Sequence, residues 1–199
     1  NNMGAITKVA YEPSTTFYLA DETNFATRWR TPLPFPVQVV ARVEVIDDLS
    51  KGKLITKYTY HHGYWDGAER EFRGFGIVEQ FDTETFERYN QAGLHGDSAK
   101  FVKVDQQKLT FSPPTRSKIW FHQGPIGEEF GDWQEQDWSS EYWNGDPRLL
   151  KHTEQVNDVL KTLDLTHATK TTQARRRIKR DALRALRGSI LRTELYAMD

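Results

Sequence analysis

The run from Val37 to Asp47 alternates with a period of two. Val37, Val39, Ala41, Val43 and Val45 fall on one side of an extended chain, and Gln38, Val40, Arg42, Glu44 and Ile46 on the other. That repeat is the mark of a strand with one face turned inward. Asp47–Lys53 (DDLSKGK) then reads as a hairpin turn in which Gly52 can take a positive φ. Leu54–His61 returns, with Leu54, Thr56, Tyr58 and Tyr60 alternating against Ile55, Lys57 and Thr59. An antiparallel pair this well patterned commits the chain to a β sheet.

The neighbouring stretches extend the pattern. Ala5–Tyr11 and Thr15–Ala20 read as short strands split by Glu12-Pro13-Ser14. Pro32, Pro34 and Pro36 forbid a helix and favour an extended connection. Phe72–Asp82 reads as a strand interrupted by Gly74 and Gly76, which inside a strand mark a bulge or a close backbone approach. Gln91–Ser98 is expected to be loop, Lys100–Val104, Lys108–Phe111 and Lys118–His122 short strands, and Gly124–Pro147 irregular. Near the end the period changes. Val156, Val159, Leu160 and Leu163 sit at helical spacing. A second helix is expected from an N-cap at Thr171 or Thr172 to about Arg187, with Ala174, Ile178, Ala182, Ala185 and Leu186 as its apolar stripe and Gly188 as its stop. Ile190–Tyr196 reads as a last strand. The expected organisation is therefore a β-rich segment over 1–150, a helical insertion over 151–188, and a final strand over 189–199 that leads into a longer chain.

Charge is segregated. Lys170–Arg192 holds nine basic residues and one acid, a net of +8, which leaves −9 for the rest of a chain whose total is −1. Glu128–Asp146 holds seven acids and no Lys or Arg. Such blocks point to pairing surfaces. A domain built for nucleic acid would be basic overall, so none is expected as a partner. The absence of Cys removes disulfides, thiol nucleophiles and thiolate metal sites. Apolar runs are only a few residues long, far short of the roughly 20 a spanning helix needs. The start, Asn1–Ala5, lacks the features of a signal peptide.

Searching for chemistry yields little. His61 and His62 are adjacent, so on a strand they point to opposite faces and cannot chelate one ion. His95, His122, His152 and His167 are isolated. Nucleophile-elbow, phosphate-loop and dinucleotide fingerprints are missing. No catalytic, metal or cofactor-binding residue is nominated, and the chain is not expected to be an enzyme. Trp133, Trp138 and Trp143 recur every five residues in the acidic stretch. They could be platforms for sugars or cations, but rings that pin an irregular loop onto a sheet are the more economical reading. Arg176 and Arg180, in the basic helix, are candidates for contact with a partner, against the plainer reading of a solvated or internally paired face.

The densest stretch is Tyr60–Gly76 (YHHGYWDGAEREFRGFG), preceded by Tyr58. It reads as a strand end at Tyr58, Tyr60 and His62, a turn at Gly63–Gly67 that includes Asp66, and a second strand carrying Arg70, Glu71, Phe72, Arg73, Gly74, Phe75 and Gly76. Arg70 and Arg73 offer planar forks to Asp66, Glu69, Glu71 or Glu79. This is a cross-linked β unit and not a recognisable active site.

That stretch, followed by VEQFDTE, resembles the middle region of the B component of insecticidal toxin complexes (Tc toxins), related to SpvB-type proteins. Asn2–Ala5 with Tyr11, Ser14-Thr15 and Tyr18-Leu19, then Leu33–Val37, Ile119–His122, Tyr142–Asp146, Arg184–Gly188 and Leu191–Tyr196 are similar to the same region, in order. The resemblance implies a mainly β fold, its antiparallel strands forming an open, curved part of an Rhs-like shell. Tyr58, Tyr60 and Gly63 are similar to the tyrosine/aspartate repeats of such shells. The implied partners are the rest of the B chain, the Rhs-type C component and the toxic effector it encloses. Contact with the pore-forming A component would be indirect, and direct membrane contact is not implied. The implied setting is a secreted or cell-surface complex. Read from the residues alone, a secreted carbohydrate- or protein-binding module using the Trp-rich acidic loop stays open as the alternative.

Overall fold

The computed structural model of the chain describes residues 4–23, 27–47, 53–82, 114–127, 133–146 and 172–198. Its elements are β1 (Ala5–Pro13), α1 (Ser14–Glu22), β2 (Gln38–Asp47), β3 (Lys53–Asp66), β4 (Glu71–Asp82), β5 (Thr115–Phe121), α2 (Thr172–Ala185) and β6 (Ile190–Ala197), with one 3₁₀ turn at Ser139–Glu141. The strands form one sheet in the order β1-β2-β3-β4-β5-β6, every neighbour antiparallel. The sheet is open. Among the described residues β1 and β6 are each paired on one side only. The expected strands at 100–104 and 108–111, the loop at 91–98 and the helical spacing at 156–163 lie outside the described residues.

The β2–β3 hairpin follows its alternation, with Val43 opposite Thr56 and Glu44 opposite Ile55. Only half of the valine face is covered. Val39 and Ala41 are buried with Phe17 and Trp29, and Tyr60 and Phe75 close the cluster, whereas Val45 is 39% exposed. The cover is α1, which corrects the expected strand at Thr15–Ala20. Thr, Phe and Tyr favour strands by propensity, but propensity yields to packing. Ser14, Phe17 and Asp21 are the buried residues of this segment, a spacing of three and four that only a helix brings to one side. The helix start is tied to the start of β2: the Ser14 N–H donates to the Val37 carbonyl at 2.7 Å, and the Val37 N–H to Ser14 Oγ at 3.0 Å.

The turn expected at Gly63–Gly67 is also displaced. β3 runs on to Asp66, with Gly63 opposite Phe75 and Asp66 opposite Glu71, and the chain reverses over 67–70. A register shift lies between Gly63 and Trp65.

A second cluster, Ile77, Trp120 and Trp138 with Tyr142 and Leu191, lies over β4–β6. Ile77 and Trp120 are opposite one another across the β4–β5 ladder and are 1% and 0% exposed. The third cluster docks α2: Leu183, 0% exposed, meets Trp133, with Ala182 and Leu186 alongside. The expected stripe needs correction here, because it omitted Leu183 and included Ala185, which is exposed. α2 begins at Thr172, and Thr171 lies outside the described residues. Gly188 ends the turn after α2 at φ +81°, a conformation glycine adopts without strain. Its N–H donates to the His122 carbonyl at 2.8 Å.

Candidate functional site

Two glycines of the central motif are seats for tryptophans. A Cβ on Gly63 would lie 2.5 Å from Cζ3 of Trp29, and one on Gly76 would lie 2.4 Å from Cζ2 of Trp138. Neither glycine has a positive φ, so what they supply is space, not conformational freedom. Trp29 Nε1 donates to Asp21 Oδ2 at 2.6 Å, which anchors its ring from the helix side. By contrast Gly67 meets nothing within 4 Å, and Gly74, at φ +85°, turns its carbonyl to Gln123 Nε2 at 3.3 Å.

The motif's charges converge on Arg73, whose side chain is 0% exposed. Nη2 donates to Asp66 Oδ2 at 2.6 Å and approaches Glu69 at 3.5 Å, while Nε lies 3.2 Å from Glu71. Asp66 also holds the turn, since its Oδ1 accepts the N–H groups of Ala68 and Glu69, both at 3.0 Å. Glu69 and Glu71 reach outward to α2 and its C-terminal turn. Arg180 is 3.5 Å and Arg184 3.1 Å from Glu69, and Arg187 pairs with Glu71. One buried arginine, three carboxylates and three half-exposed arginines therefore clamp the β3–β4 turn to α2. Arg180, Arg184 and Arg187 thus pair with this turn. Arg70 takes no part in these pairs; it is exposed, at φ +53°. Glu79 pairs with Arg116.

The aromatic members of the motif line the first cluster. Tyr60 donates its hydroxyl to the Val40 carbonyl at 2.8 Å and its ring meets Phe17 and Phe75. Phe72 stacks edge-on against Phe75, and Tyr58 lies opposite Gln80.

The adjacent histidines grip different covering segments. His61 Nδ1 lies 2.8 Å from Asp21 Oδ2 on α1. His62, at φ +54°, lays its ring 4.9 Å from that of Trp138, with Glu141 3.9 Å from Nε2. Burial pushes the His62 pKa below its ordinary 6.5, only partly offset by Glu141. The folded state thus disfavours the proton. The contribution of His62 to stability is present above the ordinary histidine pKa and is lost as pH falls from there toward the lowered folded value. The urea midpoint of the chain should drop between pH 7.5 and pH 5.5. His62→Asn, which tolerates positive φ, should flatten that drop; an unchanged pH profile would rule His62 out as its source.

The acidic stretch is tied to β5 and β6. Glu141 pairs with Lys118 at 3.1 Å and Asp146 with Arg192 at 3.2 Å. The Trp143 N–H donates to Glu194 at 2.9 Å, and Arg192 lies 5.1 Å over the Tyr142 ring. Burial pushes the Glu194 carboxyl up, but hydrogen bonds from Tyr196, the Trp143 backbone and Arg192 outweigh it and hold the pKa below the carboxylate range. Trp133 and Trp138 are both 5% exposed and pin this stretch to the structure beneath it, whereas Trp143 is 57% exposed.

A cleft of about 400 Å³ opens beside this stretch, lined among others by Arg28, Arg30, His62, Tyr64, Trp138 and Glu141. Its arginines are engaged, Arg28 with Glu22 at 3.0 Å and Arg30 with Gln136 at 3.3 Å. Among the described residues no group of three or more His, Asp or Glu side chains is placed to hold a metal ion. Sequence reasoning missed Asp21, Trp29, Gln123 and Leu183. Only Leu183 left a signal, because it joins Ile178, Ala182 and Leu186 in a helical pattern of i, i+4, i+5 and i+8.

The class of fold is an open antiparallel sheet, stiffened by a buried charge clamp. Residues 1–97 match the family of the insecticide toxin TcdB middle/N-terminal region. Across its full length the chain is similar to solved toxin-complex structures. The crystal structure of TcdB2-TccC3-TEV is 27% identical over 100% of this chain and 8% of its own, with a TM-score of 0.61. The crystal structure of TcdB2-TccC3 is 26% identical over the same shares, at 0.60. The Photorhabdus luminescens Tc holotoxin pore is 26% identical, again over 100% and 8%, at 0.61. These matches bear out the resemblance to the Tc toxin B component. The chain spans about 8% of the length of the chains it matches. No curated protein sequence matches.

Proposed function

We propose that this segment is a length of wall in a hollow β shell, and that its work is containment. The observation that carries this is the open sheet whose two outer strands, among the described residues, are each paired on one side only, in a chain that corresponds to 8% of a much longer one. Free strand edges seek partners, and further strands of the same B chain would continue the sheet at β1 and β6. The pairing of TcdB2 with TccC3 in the solved structures supports an Rhs-type C component as the partner that completes the shell around its effector. Contact with the A component would be indirect, the setting a secreted toxin complex, and the segment's role scaffolding without a catalytic step. The clamp at Arg73 and the two tryptophan seats would keep the wall rigid while cargo is held.

Proline tests whether β1 is inside a continuous wall. It removes one ladder N–H, so an edge strand tolerates it at whichever of two adjacent residues faces outward, while an internal strand tolerates it at neither. Val9→Pro and Ala10→Pro would be made separately in the full B component, co-produced with its C component and effector. Both should leave the effector open to added trypsin. If either variant kept the effector fully protected, β1 would be a true edge and the wall reading would fail.

A further inference from the structure

α2 carries two sets of arginines in different states. Arg176, Arg180 and Arg184 follow one another at intervals of four residues, which places them on one stripe of the helix, and Arg187 follows in the turn after it. The last three rungs are filled by carboxylates from the β3–β4 turn: Glu71 meets Arg187 and Arg184, and Glu69 meets Arg184 and Arg180. The ladder then runs out. Arg176, and beside it Arg175 and Arg177, makes no ion pair or hydrogen bond with any described residue. Arg175 and Arg177 are exposed and Arg176 is partly so. Three adjacent cations repel one another, and α2 has no acidic residue in its first turn to relieve them.

We propose that the N-terminal half of α2 is a docking surface for an acidic polypeptide segment, whose carboxylates fill the rungs that Glu69 and Glu71 leave open. Carboxylate is the anion this stripe already takes, at spacings set by the helix, and guanidinium forks match it in pairs. A long uniform polyanion such as nucleic acid fits less well, because the rest of the chain carries −9 and would repel the phosphates beyond the patch. The proposal stands apart from the wall reading, since it needs only α2 and its own charges.

The test is fluorescence anisotropy at low salt with a labelled deca-glutamate peptide, a labelled single-stranded oligothymidine and, by co-sedimentation, phosphatidylserine vesicles. The wild-type chain should bind the peptide more tightly than either other probe. Substituting Arg175, Arg176 and Arg177 together by Gln should weaken peptide binding by about ten-fold or more, given what a charge-assisted contact contributes, with the thermal melt unchanged. Arg184→Gln should weaken it far less. No peptide binding by the wild type, equal binding by the triple variant, or tighter binding of the oligonucleotide or vesicles would each overturn the proposal.

Discussion

Replacing Arg73 by Met should destabilise the chain by about 3–5 kcal/mol, the usual cost of stripping one partner from a buried ion pair. Arg73 is fully buried and Asp66 nearly so. Met fills much of the space but leaves the Asp66 carboxylate without its 2.6 Å partner. Glu69 and Glu71 would keep their outer arginines, but those pairs are partly exposed and individually weak. The guanidinium also lies against the backbone of Gly124, where a Cβ would stand 2.5 Å from Nη1, so its loss unsettles the loop after β5 as well. Adding Asp66→Asn to Arg73→Met should recover part of the loss, since it removes the stranded charge while Oδ1 still accepts from Ala68 and Glu69. Urea denaturation followed by circular dichroism measures all three proteins. A single-variant loss below about 1 kcal/mol would mean that solvent reaches Asp66, and the clamp would not be structural.

Trp138→Ala should cost a comparable amount, about 3–5 kcal/mol. The ring is 5% exposed, lies on Gly76 and stacks near His62. Gly76→Ala attacks the same contact from below. A methyl group 2.4 Å from Cζ2 must displace the indole, at about 1–3 kcal/mol. In the Trp138→Ala background the new methyl finds the vacated space, so the second substitution should cost little. A coupling of about 1 kcal/mol or more is expected from the double-mutant cycle. Strict additivity would show that Trp138 does not sit on Gly76 in solution.

The same contacts explain which parts of the chain could be read in advance. The β2–β3 hairpin was legible because its alternation is local, with each valine in Val39–Val45 reporting its own face. The Thr15–Ala20 segment misled because its β-prone residues say nothing of Tyr60 and Val39, which come from distant strands and bury Phe17. Glycine in Tyr60–Gly76 was visible as unusual, but the turn was placed at Gly63 when the glycine was needed under Trp29, some thirty residues upstream. The partners of the histidine pair, Asp21 for His61 and Trp138 for His62, are invisible to spacing.

From residues alone, the chain's β character, its central antiparallel pair, the basic helix and the final strand follow, because alternation, helical period and charge blocks act over neighbouring positions. Tertiary structure alone decided that the sheet stays open, that Arg73 is the buried centre of the clamp, that Arg180, Arg184 and Arg187 meet Glu69 and Glu71, and which glycines hold tryptophans. Those outcomes depend on contacts between segments far apart in the chain, where the gain from burying a ring or a charge is set by whatever arrives opposite it.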